Sequence, residues 1–373
     1  MDFTKVRDFL NSLSGIGIPG ADLAIYQNGR EIFRHQTGFS DLEAKTPITP
    51  ETLYPFYSMT KIITCVAALR LYEEGRFLLT DPLHKYLPEF KEMKVKPANS
   101  DTSQVPAKNP IRIVDLFTMS TGFSYDVTEN LSKLFQHNYT VKEFISAISK
   151  DALYFEPGTR FRYGFSHDIL AGLIEVLSGK TLGEYFRDNI LAPLGMEDTF
   201  FIVPKEKQHR FVTCYTYSDA EQKHKRSEKY PGDFFNPGYK YESGGGGLVS
   251  TVDDYAKFAN TLCAGGTAPD GYRLLAKGTI DLMRTNHLDA VGLKDFYAPQ
   301  HAGYGYGLGV KTMLDPAAGG SNSMEGYGWA GFAGTYVRID PSMGLVFVYA
   351  QHLVPSREDY VYPRLRNIIY GCM

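Results

Sequence analysis

The chain has 373 residues, of which 43% are apolar, so it is long enough to bury a large hydrophobic core. Its formal net charge is −3, and the acidic and basic residues are dispersed along the chain. This distribution excludes the basic patches that are typical of nucleic-acid-binding proteins and of proteins that bind anionic membranes. No shift in composition and no low-complexity linker divides the sequence, so we expect one compact body with two lobes.

The first predicted element is an amphipathic helix near the N-terminus, with Phe3, Val6, Phe9 and Leu10 on one face. This segment lacks the continuous apolar core and the cleavage site of a signal peptide. No later segment approaches the roughly 18 apolar residues of a membrane span. The four cysteines form neither a C-x-x-C pair nor a metal-binding spacing with the nine histidines. We therefore expect a cytoplasmic protein with free thiols, without a metal ion or an organic cofactor.

Both ends of the chain predict β-hairpins. Asn28-Gly29 separates two strand-like runs within residues 22–34, and this dipeptide favours a tight turn with positive φ angles. Near the C-terminus, the β-rich runs 332–339 and 344–351 are joined by a turn at residues 340–343. The sequence therefore predicts strands at both ends of the chain.

The middle of the chain has mainly helical periodicity. Predicted helices cover residues 58–74, 111–119, 141–149, 166–178, 182–189 and 252–263, and a last one covers 359–370. Gly75 would end the first of these helices, and Ser250 or Thr251 would cap the N-terminus of the helix over 252–263. Helices and strands are thus segregated along the chain and do not alternate.

This segregation predicts an α/β (α+β) fold in which both chain ends build an antiparallel sheet flanked by helices. A mostly helical lobe is inserted between them. We assign residues 1–80 and 245–373 to the sheet lobe and residues 81–244 to the helical lobe. The two lobes together are expected to form one unit with the functional site between them.

The strongest chemical motif is Ser58-Met59-Thr60-Lys61, at the head of a predicted helix. Residues three apart lie on one helical face, so the Lys61 amine can approach the Ser58 hydroxyl. A serine hydroxyl becomes a good nucleophile when a base takes its proton, and the helix N-terminus favours the developing negative charge. Lysine can be that base if burial or nearby positive charge lowers its pKa. The structural alternative is a capping serine followed by a solvated lysine.

Two later segments carry further motif residues. Tyr163 lies in a loop directly before an apolar helix, and Trp329, the only tryptophan, begins a predicted strand. With Ser58 and Lys61, these segments resemble the serine β-lactamase and penicillin-binding protein superfamily. Within that superfamily, the sequence is most similar to class C-type enzymes and to family VIII carboxylesterases. The resemblance covers nearly the whole chain and includes residues 81–83, 111–122, 244–251 and 303–309.

The resemblance implies a β-lactamase-like fold and an acyl-serine intermediate. Ser58 would be the nucleophile, Lys61 its base and Tyr163 a second proton-transfer group. The backbone N–H groups of Ser58 and Phe332 would form the oxyanion hole. The implied substrate-binding residues are Phe165, Trp329, Ala330 and Gly331.

The departures from the family pattern favour esters as substrates. Phe165 stands where β-lactamases carry the asparagine of a Y-x-N motif, and Trp329 and Ala330 replace the lysine and threonine that recognise a substrate carboxylate. A carboxylate would be desolvated against the indole, whereas an aryl or alkyl group can stack on it. We therefore expect a serine hydrolase that cleaves short-chain or aryl carboxylic esters. β-Lactamase, D-amino-acid peptidase and acyltransferase activities on small-molecule esters or amides are alternatives, as is an inactive binding homologue.

Several other motifs have structural interpretations. Tyr26-Gln27-Asn28 is a literal Y-x-N, but it lies in the early hairpin, before the serine. His301-Ala302-Gly303 could imitate a third motif, but it precedes the terminal hairpin. The glycine run 244–247 lacks the Gly-Lys-Ser/Thr of a phosphate loop and favours a tight turn near the cleft. His352 and Gln351 end a predicted strand. The absence of G-x-S-x-G disfavours a Ser-His-Asp lipase.

Overall fold

The computed structural model describes residues 1–96 and 103–373, so residues 97–102 of the predicted helical lobe lie outside the described residues. The strands are β1 Gly20–Gln27, β2 Arg30–Asp41, β3 Thr46–Pro47, β4 Tyr54–Pro55, β5 Lys94–Val95, β6 Val105–Pro106, β7 Tyr215–Ser218, β8 Lys223–Arg226, β9 Val249–Ser250, β10 Tyr304–Tyr306, β11 Lys311–Met313, β12 Tyr327–Ala330, β13 Tyr336–Asp340 and β14 Leu345–Gln351. The helices are α1 Thr4–Ser12, α2 Thr60–Glu73, α3 Ile113–Phe117, α4 Glu129–Leu134, α5 Val141–Ile148, α6 Ser166–Ser178, α7 Leu182–Phe186, α8 Val252–Cys263, α9 Lys277–Met283, α10 Ala290–Phe296, α11 Pro316–Gly319 and α12 Glu358–Tyr370.

Strands from both chain ends meet in one antiparallel sheet. Within the described ranges, eight strands form it in the order β10-β11-β12-β13-β14-β1-β2-β3. β1 pairs with β14, which places Ala21 opposite Gln351. The predicted turn between β1 and β2 is present, with positive φ at both Asn28 and Gly29. The predicted fold class is therefore confirmed.

Helices cover the two faces of this sheet. α8 packs on β1, β13 and β14, while α1 contacts β2 and α12. The predicted N-cap of α8 is Thr251, whose hydroxyl accepts a hydrogen bond from the Asp254 N–H at 3.1 Å. The central strands are buried on both faces, as β14 shows by having no exposed residue. Across the described residues, no helix combines the length and the apolar character needed to cross a bilayer.

α2 is the central helix of the larger hydrophobic core. Every residue from Thr60 to Leu69 is buried, so the helix has no solvent-facing side in this stretch. It packs along α6 and also contacts α7. Because the core surrounds α2, the residues at its N-terminus are held in fixed positions.

Some predicted boundaries are wrong. The predicted strand over 332–339 starts at Tyr336, because Gly331 to Thr335 form a turn that is closed by a hydrogen bond from the Gly331 N–H to the Thr335 carbonyl at 2.7 Å. Trp329 consequently lies at the end of a separate strand, β12. The helix predicted over 58–74 begins as a 3₁₀ turn and becomes α-helical at Thr60. The short helices α4, α9, α10 and α11 were not predicted, since one or two turns give little periodicity.

Candidate active site

Ser58 lies in a 3₁₀ turn over Tyr57–Met59, directly before α2. Tyr57 has a φ of 43°, a left-handed conformation that costs a non-glycine residue on the order of 1 kcal/mol and persists only when packing enforces it. Its ring makes edge contacts with Phe235 and Phe332, each at a centroid distance of 5.9 Å. Aromatic packing therefore holds the strained turn that carries Ser58.

Lys61 lies beneath Ser58 and is completely buried, with 0% of its surface exposed. Its Nζ donates a hydrogen bond to Ser58 Oγ at 3.1 Å and another to the carbonyl oxygen of Gly245. The same Nζ lies 4.9 Å from the centroid of the Tyr163 ring and 5.6 Å from that of Tyr125. The structure thus brings Ser58, Lys61 and Tyr163 together.

The surroundings of Lys61 change its protonation. Burial by itself lowers the pKa of the amine, but the interactions with Tyr125, Tyr163 and Asp168 outweigh it and raise the pKa of Lys61 above that of a free lysine. This direction is opposite to the lowering that the sequence suggested for a lysine base. Lys61 is therefore an ammonium in the resting site, and it lies over the rings of its two phenolic neighbours.

The indole of Trp329 positions Tyr163. Its Nε1–H donates to the Tyr163 hydroxyl oxygen at 3.0 Å, and the two ring centroids are 5.6 Å apart. Because the tyrosine oxygen is the acceptor in this bond, its own proton is free to point elsewhere. Trp329 itself is buried between Tyr163 and the rings of Tyr306 and Phe296.

The glycine run next to Lys61 is held by Asp168, a residue that the sequence analysis missed. The buried Asp168 carboxylate accepts hydrogen bonds from Tyr241 Oη at 2.8 Å, Ser243 Oγ at 2.5 Å and the Gly245 N–H at 3.2 Å. The Gly245 carbonyl in turn contacts Lys61. The signal in the sequence was an acidic residue in the first turn of the otherwise apolar helix α6. Tyr125 was also missed, because it lies in a loop without a motif.

A cavity of about 670 Å³ opens beside Ser58. The predicted site residues on its wall are Ser58, Tyr163, Trp329, Ala330, Gly331 and Phe332. Among the described residues, no carbonyl accepts a hydrogen bond from the N–H of Ser58 or of Phe332, so both donors are available. The described residues around this cavity do not include Phe165. Its ring packs on Phe144 and Tyr125 at 5.3 Å and 4.8 Å.

The other motifs lie in structural positions, with one exception. His301 lines the cavity, stacks on Phe296 at 4.4 Å, and burial together with the positive charge of Lys311 lowers its pKa to about 4. The literal Y-x-N spans the last two residues of β1 and the first residue of the turn that follows it. His352 is buried, and its ring nitrogens lie 2.6 Å and 3.0 Å from two backbone carbonyls. Within residues 1–96 and 103–373, no cluster of three or more His, Cys, Asp or Glu side chains could hold a metal ion.

Comparison with known proteins identifies relatives across nearly the whole chain. The family model described as Beta-lactamase matches residues 6–369. Protein Rv1367c of Mycobacterium tuberculosis is 30% identical over 345 residues, which cover 89% of this chain and 85% of that protein. Esterase EstB of Burkholderia gladioli is 26% identical over 351 residues, covering 87% of this chain and 84% of EstB.

A solved structure is similar over the full length. EstCE1, described as a hydrolase with promiscuous acyltransferase activity, superposes with a TM-score of 0.82. The superposition covers 99% of this chain and 98% of EstCE1, at 24% sequence identity. This likeness shows that the two chains share a fold.

Proposed function

The chain belongs to the beta-lactamase family, and on that premise we propose that it hydrolyses short-chain or aryl carboxylic esters through an acyl intermediate on Ser58. The observation that carries the proposal is the contact between Lys61 Nζ and Ser58 Oγ at 3.1 Å, at the edge of a cavity walled by Trp329. The similarity to EstB, an esterase, supports the same reaction class.

The proposed reaction has two halves. Once the Lys61–Tyr163 pair has lost one proton to solvent, Ser58 Oγ attacks the ester carbonyl carbon while its own proton passes to the pair. The N–H groups of Ser58 and Phe332 stabilise the negative oxygen of the tetrahedral intermediate. The intermediate collapses to the acyl-enzyme, and the alcohol leaves with a proton from the pair. Water then attacks the acyl carbon, loses a proton to the same pair, and releases the acid and Ser58.

The side chains of β12 favour esters over β-lactams as substrates. Trp329 contributes an indole where a carboxylate-binding enzyme of this family would carry a lysine, and Ala330 contributes a methyl group in place of a hydroxyl. The indole N–H is already bonded to Tyr163. A carboxylate next to the reacting carbonyl therefore has no charged partner on this strand, whereas an aryl group can stack there.

The proposal is tested by paired turnover of p-nitrophenyl butyrate and the chromogenic cephalosporin nitrocefin. We expect kcat/KM for the ester to exceed that for the cephalosporin by roughly 10- to 150-fold, since a missing charge-assisted contact is worth about 1.5–3 kcal/mol. Ser58→Ala should lose ester turnover by ~10⁴-fold or more, together with fluorophosphonate labelling.

The matched control is Ser132→Ala, which removes an exposed hydroxyl from α4 and should behave as wild type. Nitrocefin opened as fast as the ester would restore the β-lactamase interpretation. Labelling of a serine other than Ser58, read by peptide mass spectrometry, would refute the assignment of Ser58 as the nucleophile. Acyl transfer to an added alcohol, at the expense of hydrolysis, would favour the acyltransferase alternative, which EstCE1 also suggests.

A further inference from the structure

The cavity beside Ser58 continues past Trp329 towards the edge of the sheet. Lys311 on β11, Tyr304 on β10 and Arg366 on α12 also line it. β11 and β10 are the first and second strands beyond β12 in the sheet order. Neighbouring strands are spaced by about 4.8 Å, so this end of the cavity lies roughly 5–10 Å beyond the Trp329 strand.

Three cations surround Tyr304 at this end. Arg338 Nη1 and Arg366 Nη1 donate to the Tyr304 hydroxyl at 3.1 Å and 2.8 Å. Both guanidinium groups are buried, since Arg338 is 1% and Arg366 is 5% exposed. Arg366 Nη2 also donates to the carbonyl oxygens of Gly319 and Gly320. Lys311 Nζ lies 4.6 Å from the centroid of the Tyr304 ring. Within the described part of the chain, the Lys311 ammonium has no side-chain hydrogen-bond or ion-pair partner, although the Glu358 carboxyl group lies near enough to influence its pKa.

The acidic groups nearby compensate only part of this positive charge. Glu358 and Asp359 both line the same cavity, and burial raises the pKa of the Glu358 carboxyl group and so favours its neutral form. The Asp340 carboxylate lies near Arg338, and its charge offsets that guanidinium group. Lys311 is half-buried and burial lowers the pKa of its amine, so an ammonium without a close partner is costly there, and a bound anion would relieve that cost.

We propose that Lys311, Tyr304 and Arg366 form a binding site for a carboxylate of the substrate, so that the esters cleaved at Ser58 carry a free carboxylate remote from the scissile carbonyl. This inference rests on the proposed esterase function. It is compatible with Trp329, because the charge is recognised one to two strands away from the indole. A cavity of about 670 Å³ has room for such an elongated molecule.

The test compares half-esters with matched neutral diesters. The substrates are mono-4-nitrophenyl adipate and suberate, each paired with its methyl-capped 4-nitrophenyl diester. We expect kcat/KM of the wild type to favour the half-ester at least ~10-fold for one of the two chain lengths. Lys311→Met should bring the ratio of half-ester to diester close to one, because a charge-assisted contact of about 1.5–3 kcal/mol corresponds to a change of roughly 10- to 150-fold. Lys311→Arg should retain most of the preference.

The matched control is Lys294→Met, which removes an exposed lysine from α10 outside the cavity and should leave the ratio unchanged. Equal rates for half-ester and diester in the wild type, at both lengths, would overturn the anion site while leaving the esterase proposal intact. Stronger competitive inhibition by phenyl phosphate than by a benzoate of similar size would show that the site prefers phosphates. This result would overturn the proposal that the site binds a substrate carboxylate.

A binding experiment separates the two proposals. If neither ester is hydrolysed, the esterase proposal fails, and calorimetry of Ser58→Ala with monomethyl and dimethyl suberate still tests the anion site. Tighter binding of the monomethyl ester, lost in Ser58→Ala/Lys311→Met, would support it. Equal affinities for the two esters would refute it. Thermal unfolding of the Lys311 variants shows whether a lost preference reflects lost folding.

Discussion

Lys61 contacts the proposed nucleophile, the glycine run and two aromatic rings at once, and these contacts set its proton affinity. Burial by itself lowers the pKa of Lys61, but the interactions with Tyr125, Tyr163 and Asp168 raise it. Spacing along the chain brought Ser58 and Lys61 together. It could not show the phenols and the carboxylate, which lie 64 or more residues further along the chain.

The raised pKa predicts an unusual pH profile. If Lys61 must lose a proton for turnover, kcat/KM should keep rising with pH beyond the neutral range, because the deprotonated fraction grows until pH exceeds the raised pKa. Tyr125→Phe removes a hydroxyl group that helps to raise the pKa of Lys61, so the rising limb should move to lower pH. The measurement is kcat/KM for p-nitrophenyl butyrate between about pH 6 and 10, corrected for spontaneous hydrolysis.

Two variants serve as references for this profile. Lys61→Ala and Tyr163→Phe are each expected to lower kcat by at least ~10²-fold, the usual scale for a positioned acid–base group. An acid limb near pH 6–7 that Tyr125→Phe does not move would show that another group is the base. Wild-type behaviour of Tyr163→Phe would make Tyr163 a structural residue only.

Among the strands and helices, β12 is the element on which the proposed substrate class depends. Its residue Trp329 donates a hydrogen bond to Tyr163 and lines the cavity beside Ser58. Trp329→Lys together with Ala330→Thr is expected to narrow the gap between ester and cephalosporin turnover. The change removes the indole on which we propose that the ester stacks, together with the N–H that donates to the Tyr163 hydroxyl. The measurement is the ratio of the two kcat/KM values. An unchanged ratio would show that β12 does not select the substrate.

The glycine run 244–247 is the second element that shapes the site. A Cβ at Gly245 would collide with Asp168 Oδ2, so Gly245→Ala should displace the carbonyl that contacts Lys61. We expect about 1–3 kcal/mol of lost stability and at least ~10-fold lower kcat. Gly246→Ala is the matched control, because its nearest neighbour would be a Tyr57 backbone atom at 3.7 Å. Equal behaviour of the two variants in denaturant unfolding and turnover would contradict this account.

At the scale of the whole molecule, buried histidines link stability to pH. His167 and His352 are fully buried, and burial lowers the pKa of these side chains to about 3 and about 4. In the unfolded chain their pKa is about 6.5, so the unfolded state binds more protons between the two values. The free energy of unfolding should therefore fall as pH drops from about 6.5 towards 4, on the order of 1–2 kcal/mol per histidine by pH 5.

Urea unfolding at a series of pH values measures this dependence. His352→Gln should be less stable at neutral pH but should lose less stability on acidification than the wild type. His137→Gln, at an exposed position, is the matched control and should follow the wild-type curve. An equally steep loss in His352→Gln would exclude this residue as a source of the acid sensitivity.

The fold and part of the candidate site were predictable from local sequence. Interactions within a few residues determine the hairpin turn at Asn28-Gly29, helices α6 and α8, the Thr251 cap of α8 and the Ser58–Lys61 pair. Periodicity and spacing record such interactions directly. The resemblance to a known family added Tyr163 and Trp329, which the structure places in hydrogen-bond contact.

Only the tertiary structure decided which distant side chains share an environment. In the folded chain, Asp168 contacts the glycine run and Lys311 lies beside Tyr304 at the far end of the cavity. Phe165 lies outside the cavity wall and packs on Phe144. The tertiary structure also reversed the expected direction of the Lys61 pKa. These features depend on burial and on charges that approach across the folded core, and a linear spacing does not encode the distance between them.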